Sequence, residues 1–141
     1  VIFDFNCDGG GYNDKSLVSV VGLERTTVDA TLKSAVEAAG LKLGGDPAPE
    51  QGFYDRSDNV NFSRKGVPSF TFSTGFTAFD QEILKYYHQP ADEASSLDFD
   101  YLHIFNKAFV LTAYRIANMD EAPFWLEGDK YEEAGKKLYS R

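Results

Sequence analysis

The chain has 141 residues, 43% hydrophobic and 15% aromatic, which suits one domain with a real core and excludes a disordered segment. Its net charge of −8 argues against nucleic-acid or anionic-membrane partners, because phosphates are held by clustered Lys and Arg. Cys7 is the only cysteine, so neither an internal disulfide nor a thiolate metal cluster is available, and no apolar run nears the ~18 residues of a membrane span.

Residues 1–5 read as a buried strand followed by a turn-rich loop to Asp14. The chain opens directly on this strand, with no initiator Met and no signal peptide, as a fragment would. Residues 17–21, LVSVV, form a second strand closed by Gly22. Thr26 or Thr27 caps a helix through Val28, Leu32, Ala35, Val36 and Ala39, a 3.6-residue period that Gly40 ends. Residues 41–43 are a short strand candidate, and GGDPAPEQG after them is a loop by its Gly and Pro content. Ser57 or Asp58 caps a short helix through Phe62, ended at Gly66, and VPSFTFSTG reads as a central strand.

A long loop covers residues 76–96, after which Ser95 or Ser96 caps the longest helix, 97–118. Its expected buried stripe is Leu102, Phe105, Phe109 and Ala113, widened by Ile104, Val110, Leu111 and Ile116. A polar helix near 130–139 closes the chain. The alternation of strands and helices predicts an α/β layered domain.

Three segments carry candidate chemistry. DFNCDGGGYND, residues 4–14, has the D-x-N-x-D-G spacing of a calcium loop, but position 12 falls on Lys15 instead of a carboxylate, and a strand precedes it. A Gly-rich turn accounts for it better. In FYDRSDNVNFSRKGVPSFTFSTG, Arg56 and Asp58 bracket a helix start, where an ion pair fixing the loop is the plain reading; Tyr54 is either a core aromatic or a hydroxyl aimed into a cleft. In KYYHQPADE, His88 is a surface histidine or a zinc ligand, with Asp92 four residues on. His103, on the long helix, reads as a packing or surface residue.

Together, in order and spacing, these segments resemble the M28 family of zinc aminopeptidases over nearly the whole chain, most specifically in the middle block. The resemblance implies the C-terminal part of one catalytic domain spanning residues 1–141, with a mostly parallel sheet flanked by helices and incomplete in this chain. It implies two zinc ions at the C-terminal ends of the strands, a peptide substrate, and water activation by the metal pair. It weakly favours an exported protein. His88 matches the family's last ligand histidine, in Y-H-x-x-x-D, and Asp92 the aspartate after it. Tyr54 stands four before Asp58, as does a tyrosine that stabilises the tetrahedral intermediate in some members. Arg56, Ser57 and Asp58 match the R-S-D block that shapes the pocket.

The family's N-x-D ligand has two registers here. Asn6-Cys7-Asp8 makes Asp8 the ligand and is preferred; Asp4-Phe5-Asn6 puts Asn where Asp belongs and implies a damaged site. Asn59 stands where many members have His. The family's first histidine, bridging aspartate and Glu-Glu pair are expected before Val1, so the 141 residues alone are expected to be inactive. The rival readings are a non-catalytic M28-like binding or structural module, favoured by Asn6 and Asn59, and a one-zinc glutaminyl cyclase-like enzyme. A sheet cut open would expose a strand edge and favour association through it.

Overall fold

The computed structural model describes residues 1–9 and 11–140; Gly10, in the turn-rich stretch, and Arg141 lie outside the described residues. Strands β1 (Asp4–Asp8), β2 (Leu17–Val21), β3 (Lys42–Gly44) and β4 (Ser69–Thr74) form one sheet in the order β1-β4-β2-β3. β1 is parallel to β4 and β2 to β3, whereas β2 and β4 are antiparallel. The domain is therefore α/β with a mixed sheet, and the mostly parallel arrangement holds only in part. Loop length explains the exception: residues 9–16 are fewer than the dozen or so that a parallel crossover needs, so β2 returns against the direction of β1.

β1 lies three residues later than its apolar run suggests. Its ladder with β4, from Asp4 opposite Ser69 to Asp8 opposite Ser73, sets its position. Successive side chains leave a strand on opposite faces, so Phe5 and the preceding Phe3 enter the core while Asp4, Asn6 and Asp8 share the other face. Phe5 stacks on Phe109 at 4.3 Å and meets Phe70 and Phe72 edge-on. With Val18, Val20, Phe70 and Phe72 fully buried, this face forms the main core. Burying a ring such as Phe72 stabilises by about 2–3 kcal/mol.

Helices α1 (Asp29–Ala39) and α4 (Phe99–Ala117) pack together over that core face. α1 buries Leu32, Ala35, Val36 and Ala39, and Gly40 ends it in the left-handed conformation at φ 94°. Neither threonine caps it; Thr27 Oγ1 accepts instead from the Phe124 backbone N–H at 2.9 Å. In α4 the cap is Asp98, which accepts from Tyr101 N–H at 3.0 Å. The buried stripe is Tyr101, Phe105, Ala108, Thr112 and Ile116, rotated from the expected one, and Ile104 and Val110 are exposed.

The opposite face carries Ser19, Val21, Ser69 and Thr71. It is covered by α2 (Asn59–Ser63), by a 3-10 turn at Phe53–Asp55, and by Trp125. Helix α3 (Gln81–Tyr86) occupies a stretch expected to be loop. It buries only Ile83, so apolar periodicity could not announce it, but Asp80 caps it by accepting from Glu82 and Ile83 N–H groups. α5 (Glu132–Tyr139) closes the fold. Among the described residues, no helix is long and apolar enough to cross a membrane.

Candidate active site

Because β1 and β4 are parallel neighbours, their C-terminal ends lie at one rim, with Asp8 opposite Ser73. After β4 the chain passes Phe76 and Phe79 into α3 and leaves it at Tyr87 and His88. These segments and the turn after residue 55 enclose an open cavity of about 470 Å³. Asp8, Arg56, Ser57, Asp58, His88 and Asp92 all line it, although up to 84 residues separate them in the chain. Tyr54, Asp4 and Asn6 do not.

Asp8 ends β1 in an exposed position, and its carboxylate accepts a short hydrogen bond from Ser57 Oγ through one oxygen. Ser57 is held from beneath. Asn6 donates its amide to Ser57 Oγ at 3.1 Å and to Thr71 Oγ1 at 3.0 Å; Thr71 in turn donates to Asn59 Oδ1 at 3.0 Å. Thr71 and Asn59 are buried, so these bonds sit in low dielectric, while Asn59 Nδ2 has no partner among the described residues. Asn6 thus serves the carboxylate from below, with its amide engaged within the sheet layer. Asp4, two residues further from the rim, has a buried Oδ2 without a hydrogen-bond partner among the described residues. Desolvation first, and the Asp58 charge second, push its carboxyl above the ordinary aspartate value.

His88 has φ 56°, a left-handed backbone that costs a non-glycine residue about 1 kcal/mol or more. Packing holds it there. The Tyr87 ring stacks on the imidazole at 4.1 Å and 18°, Phe79 meets Tyr87 edge-on at 5.2 Å, and Gln89 N–H closes the turn onto Tyr86 O at 3.0 Å. Asp92 lines the same wall, and its backbone N–H bonds Gln89 O at 3.0 Å. His103 is exposed on α4.

Tyr54 requires a correction. Its ring is buried over Gly22, where a Cβ would lie 2.6 Å from the ring. The hydroxyl points into the covered face, 2.7 Å from Ser63 Oγ and 3.1 Å from Ser69 O. It is the core aromatic of the two readings, and its hydroxyl is not offered to the cavity. The expected Arg56–Asp58 pairing also gives way: Arg56 donates to Gln51 O at 3.2 Å, and no ion pair joins it to Asp58 among the described residues.

Sequence reasoning missed the aromatic wall. Phe53, Phe76, Phe79 and Tyr87 line the cavity, with Phe53 edge-on to Phe79 at 5.3 Å. The density of aromatics between residues 76 and 87 was the available signal. Cys7 also lines the cavity; desolvation, then the neighbouring Asp8, push its thiol above the ordinary value, so it stays protonated.

The wall thus carries three carboxylates, Asp8, Asp58 and Asp92, and one imidazole, His88; of these, Asp8 and His88 are donor types suited to a borderline divalent cation such as zinc. Among the described residues no three His, Cys, Asp or Glu side chains come together, so the pair fits as part of a ligand set and not as a whole one. A family model, Peptidase family M28, matches residues 1–113, from β1 through most of α4. No curated protein matches the chain, and no solved structure does.

Proposed function

The chain belongs to peptidase family M28 and is a peptidase-related domain; from that premise we propose that it is the C-terminal part of the catalytic domain of a zinc aminopeptidase. The observation that carries the proposal is the meeting of Asp8 and His88 on one cavity, 80 positions apart in sequence, each anchored by its own packing.

In this reading Asp8 and His88 each give one ligand atom to a zinc ion. When bound, the metal pair lowers the pKa of a coordinated water and polarises the scissile carbonyl. Ser57 holds the Asp8 carboxylate in place, and the Tyr87 stack holds the imidazole. The Tyr54 hydroxyl, turned into the covered face, is not assigned to steadying charge on the carbonyl oxygen. Asp58 and Asp92 supply negative charge suited to a protonated substrate N-terminus, and the aromatic wall excludes water beside it. The remaining ligands and the general base are assigned to sequence preceding Val1, and the 141 residues alone to an inactive piece.

Asn6 and Asn59, the residues that favour a non-catalytic module, belong to the network beneath Ser57 and do not line the cavity, which supports the peptidase reading. Zinc titration of the full-length parent tests it. Two ions per chain are expected, with one weakened by Asp8→Asn and one by His88→Ala. A parent that folds yet binds no zinc above background would overturn the reading.

A further inference from the structure

We propose that the C-terminal segment, residues 118–140, is a strap that positions the cavity wall, with Arg25 and Asp129 as its clasp. In acting on the site it rests on the peptidase reading above. The segment contacts residues 25–27, Asp55 on the loop that carries Ser57, and Gly66, and it lies outside residues 1–113, the part matched by the family.

After α4 the chain turns back and runs antiparallel to residues 25–27. Thr27 N–H bonds Phe124 O at 2.9 Å, Leu126 N–H bonds Arg25 O at 2.9 Å, and Thr26 bridges Trp125. This short ladder delivers Trp125 and Asp129 to the covered face of the sheet. Arg25 then makes a two-pronged ion pair with Asp129, Nε to Oδ2 at 2.7 Å and a second guanidinium N–H to Oδ1 at 3.0 Å. The Asp129 side chain is 8% exposed, so the pair is well shielded from solvent. The guanidinium carbon sits over the Tyr54 ring, 4.0 Å from its centroid, with the Tyr131 ring at 5.3 Å and the Trp125 ring at 5.6 Å. Planar charge, bidentate carboxylate and aromatic faces are the combination that Arg satisfies and Lys does not.

The loop is gripped on alternate sides. Tyr54 and Asp55 face the strap; Phe53 and residues 56–58 face the cavity. Lys130 Nζ holds both Asp55 oxygens at 2.8 and 2.9 Å, and Tyr131 donates to the same carboxylate at 3.2 Å. At the other end of α2, Trp125 Nε1 bonds Gly66 O at 3.0 Å, and the α5 backbone lies against Gly66 so closely that a Cβ there would be 2.4 Å from Ala134 O. The strap therefore fixes both ends of the Tyr54-to-Gly66 segment, and Ser57, the hydroxyl that orients Asp8, lies within it. Arg25 and Asp129 are not among the residues that line the cavity; they are positioning residues.

The test uses the whole 141-residue chain. Hydrogen exchange and zinc affinity are compared for the parent chain, Arg25→Met, Arg25→Lys, Lys130→Met and a remote control, Ala108→Gly, in the α4 core. Urea unfolding gives the global stability of each. Arg25→Met should speed exchange in residues 53–58 by about tenfold beyond what its global loss explains, whereas Ala108→Gly should speed protected amides evenly. Zinc binding, read with a chromophoric chelator, should weaken in Arg25→Met relative to the control, and Arg25→Lys should restore part of it. If Arg25→Met fails to fold, Lys130→Met, on the exposed end of the strap, gives the same comparison. Exchange in residues 53–58 that simply follows global stability in every variant would overturn the strap. If the 141-residue chain, which holds only part of the ligand set, binds no zinc, the exchange comparison alone decides the strap, and the zinc assignment is decided by the titration of the full-length parent.

Discussion

Replacing Tyr54 with Phe separates a core tyrosine from a catalytic one. The change removes only the hydroxyl; the ring stays over Gly22 and beneath the Arg25 guanidinium. The lost oxygen lies 2.7 Å from Ser63 Oγ and 3.1 Å from Ser69 O. Much of the polar cluster survives, because Ser63 and Ser69 remain bonded to each other at 2.6 Å and both reach Asn59 O at 3.0 Å. The net loss is therefore that of one buried hydrogen bond with some unpaired acceptor left behind, about 1–2 kcal/mol. For a chain of this length that lowers Tm by about 3–6 °C. Thermal and urea unfolding followed by circular dichroism would give the stability, and chelator competition the zinc affinity, which should stay at the parent value. Unchanged stability together with a lost site would refute the reasoning, since the hydroxyl would then have to act in the cavity.

Three other perturbations have definite outcomes. Ser57→Ala should weaken zinc binding by about tenfold, as removal of groups that orient ligands does, while Ser57→Thr retains it; equal affinity in Ser57→Ala would show that Asp8 needs no anchor. Gly66→Ala should cost more than about 2 kcal/mol in urea unfolding, because φ is 89° and the new methyl meets the Ala134 carbonyl. Asp4 keeps its proton to higher pH when folded than when unfolded, so its contribution is full below the ordinary carboxylate value and is lost as pH rises through the raised one. Asp4→Asn should therefore gain stability over the parent as pH rises above about 4, and a difference that does not change with pH would refute the assignment.

β2, α1 and β4 were legible because local pattern and tertiary demand agree there: a β-branched run, a 3.6-residue stripe closed by Gly40, and a strand flanked by turn residues. β1 was misplaced because its position depends on pairing with residues 69–73, which no local window contains. α3 escaped because a short helix with one buried side chain leaves a capping signal but no period. The candidate site divides in the same way. Asp8, His88 and the residues 56–58 could be picked out by motif, whereas the direction of the Tyr54 hydroxyl was invisible, since a residue at a loop–helix junction can face either way until packing decides. The Asp129 partner of Arg25 lies 104 positions away in sequence, and no motif links them.

Among the described residues, the strand bearing Asp8 is secured along one flank: β1 pairs with β4 and occupies the margin of the sheet. Mechanically it is a beam clamped along one side, with the metal-binding candidate at its tip. Its restoring forces are a five-residue ladder, the Phe5 stack and the Ser57 bond. A strand laid along the open flank would stiffen the beam and remove part of the entropy cost of holding the carboxylate still. Were both to be filled, occupancy of the flank and of the tip would be thermodynamically linked, each raising the affinity of the other by the same factor.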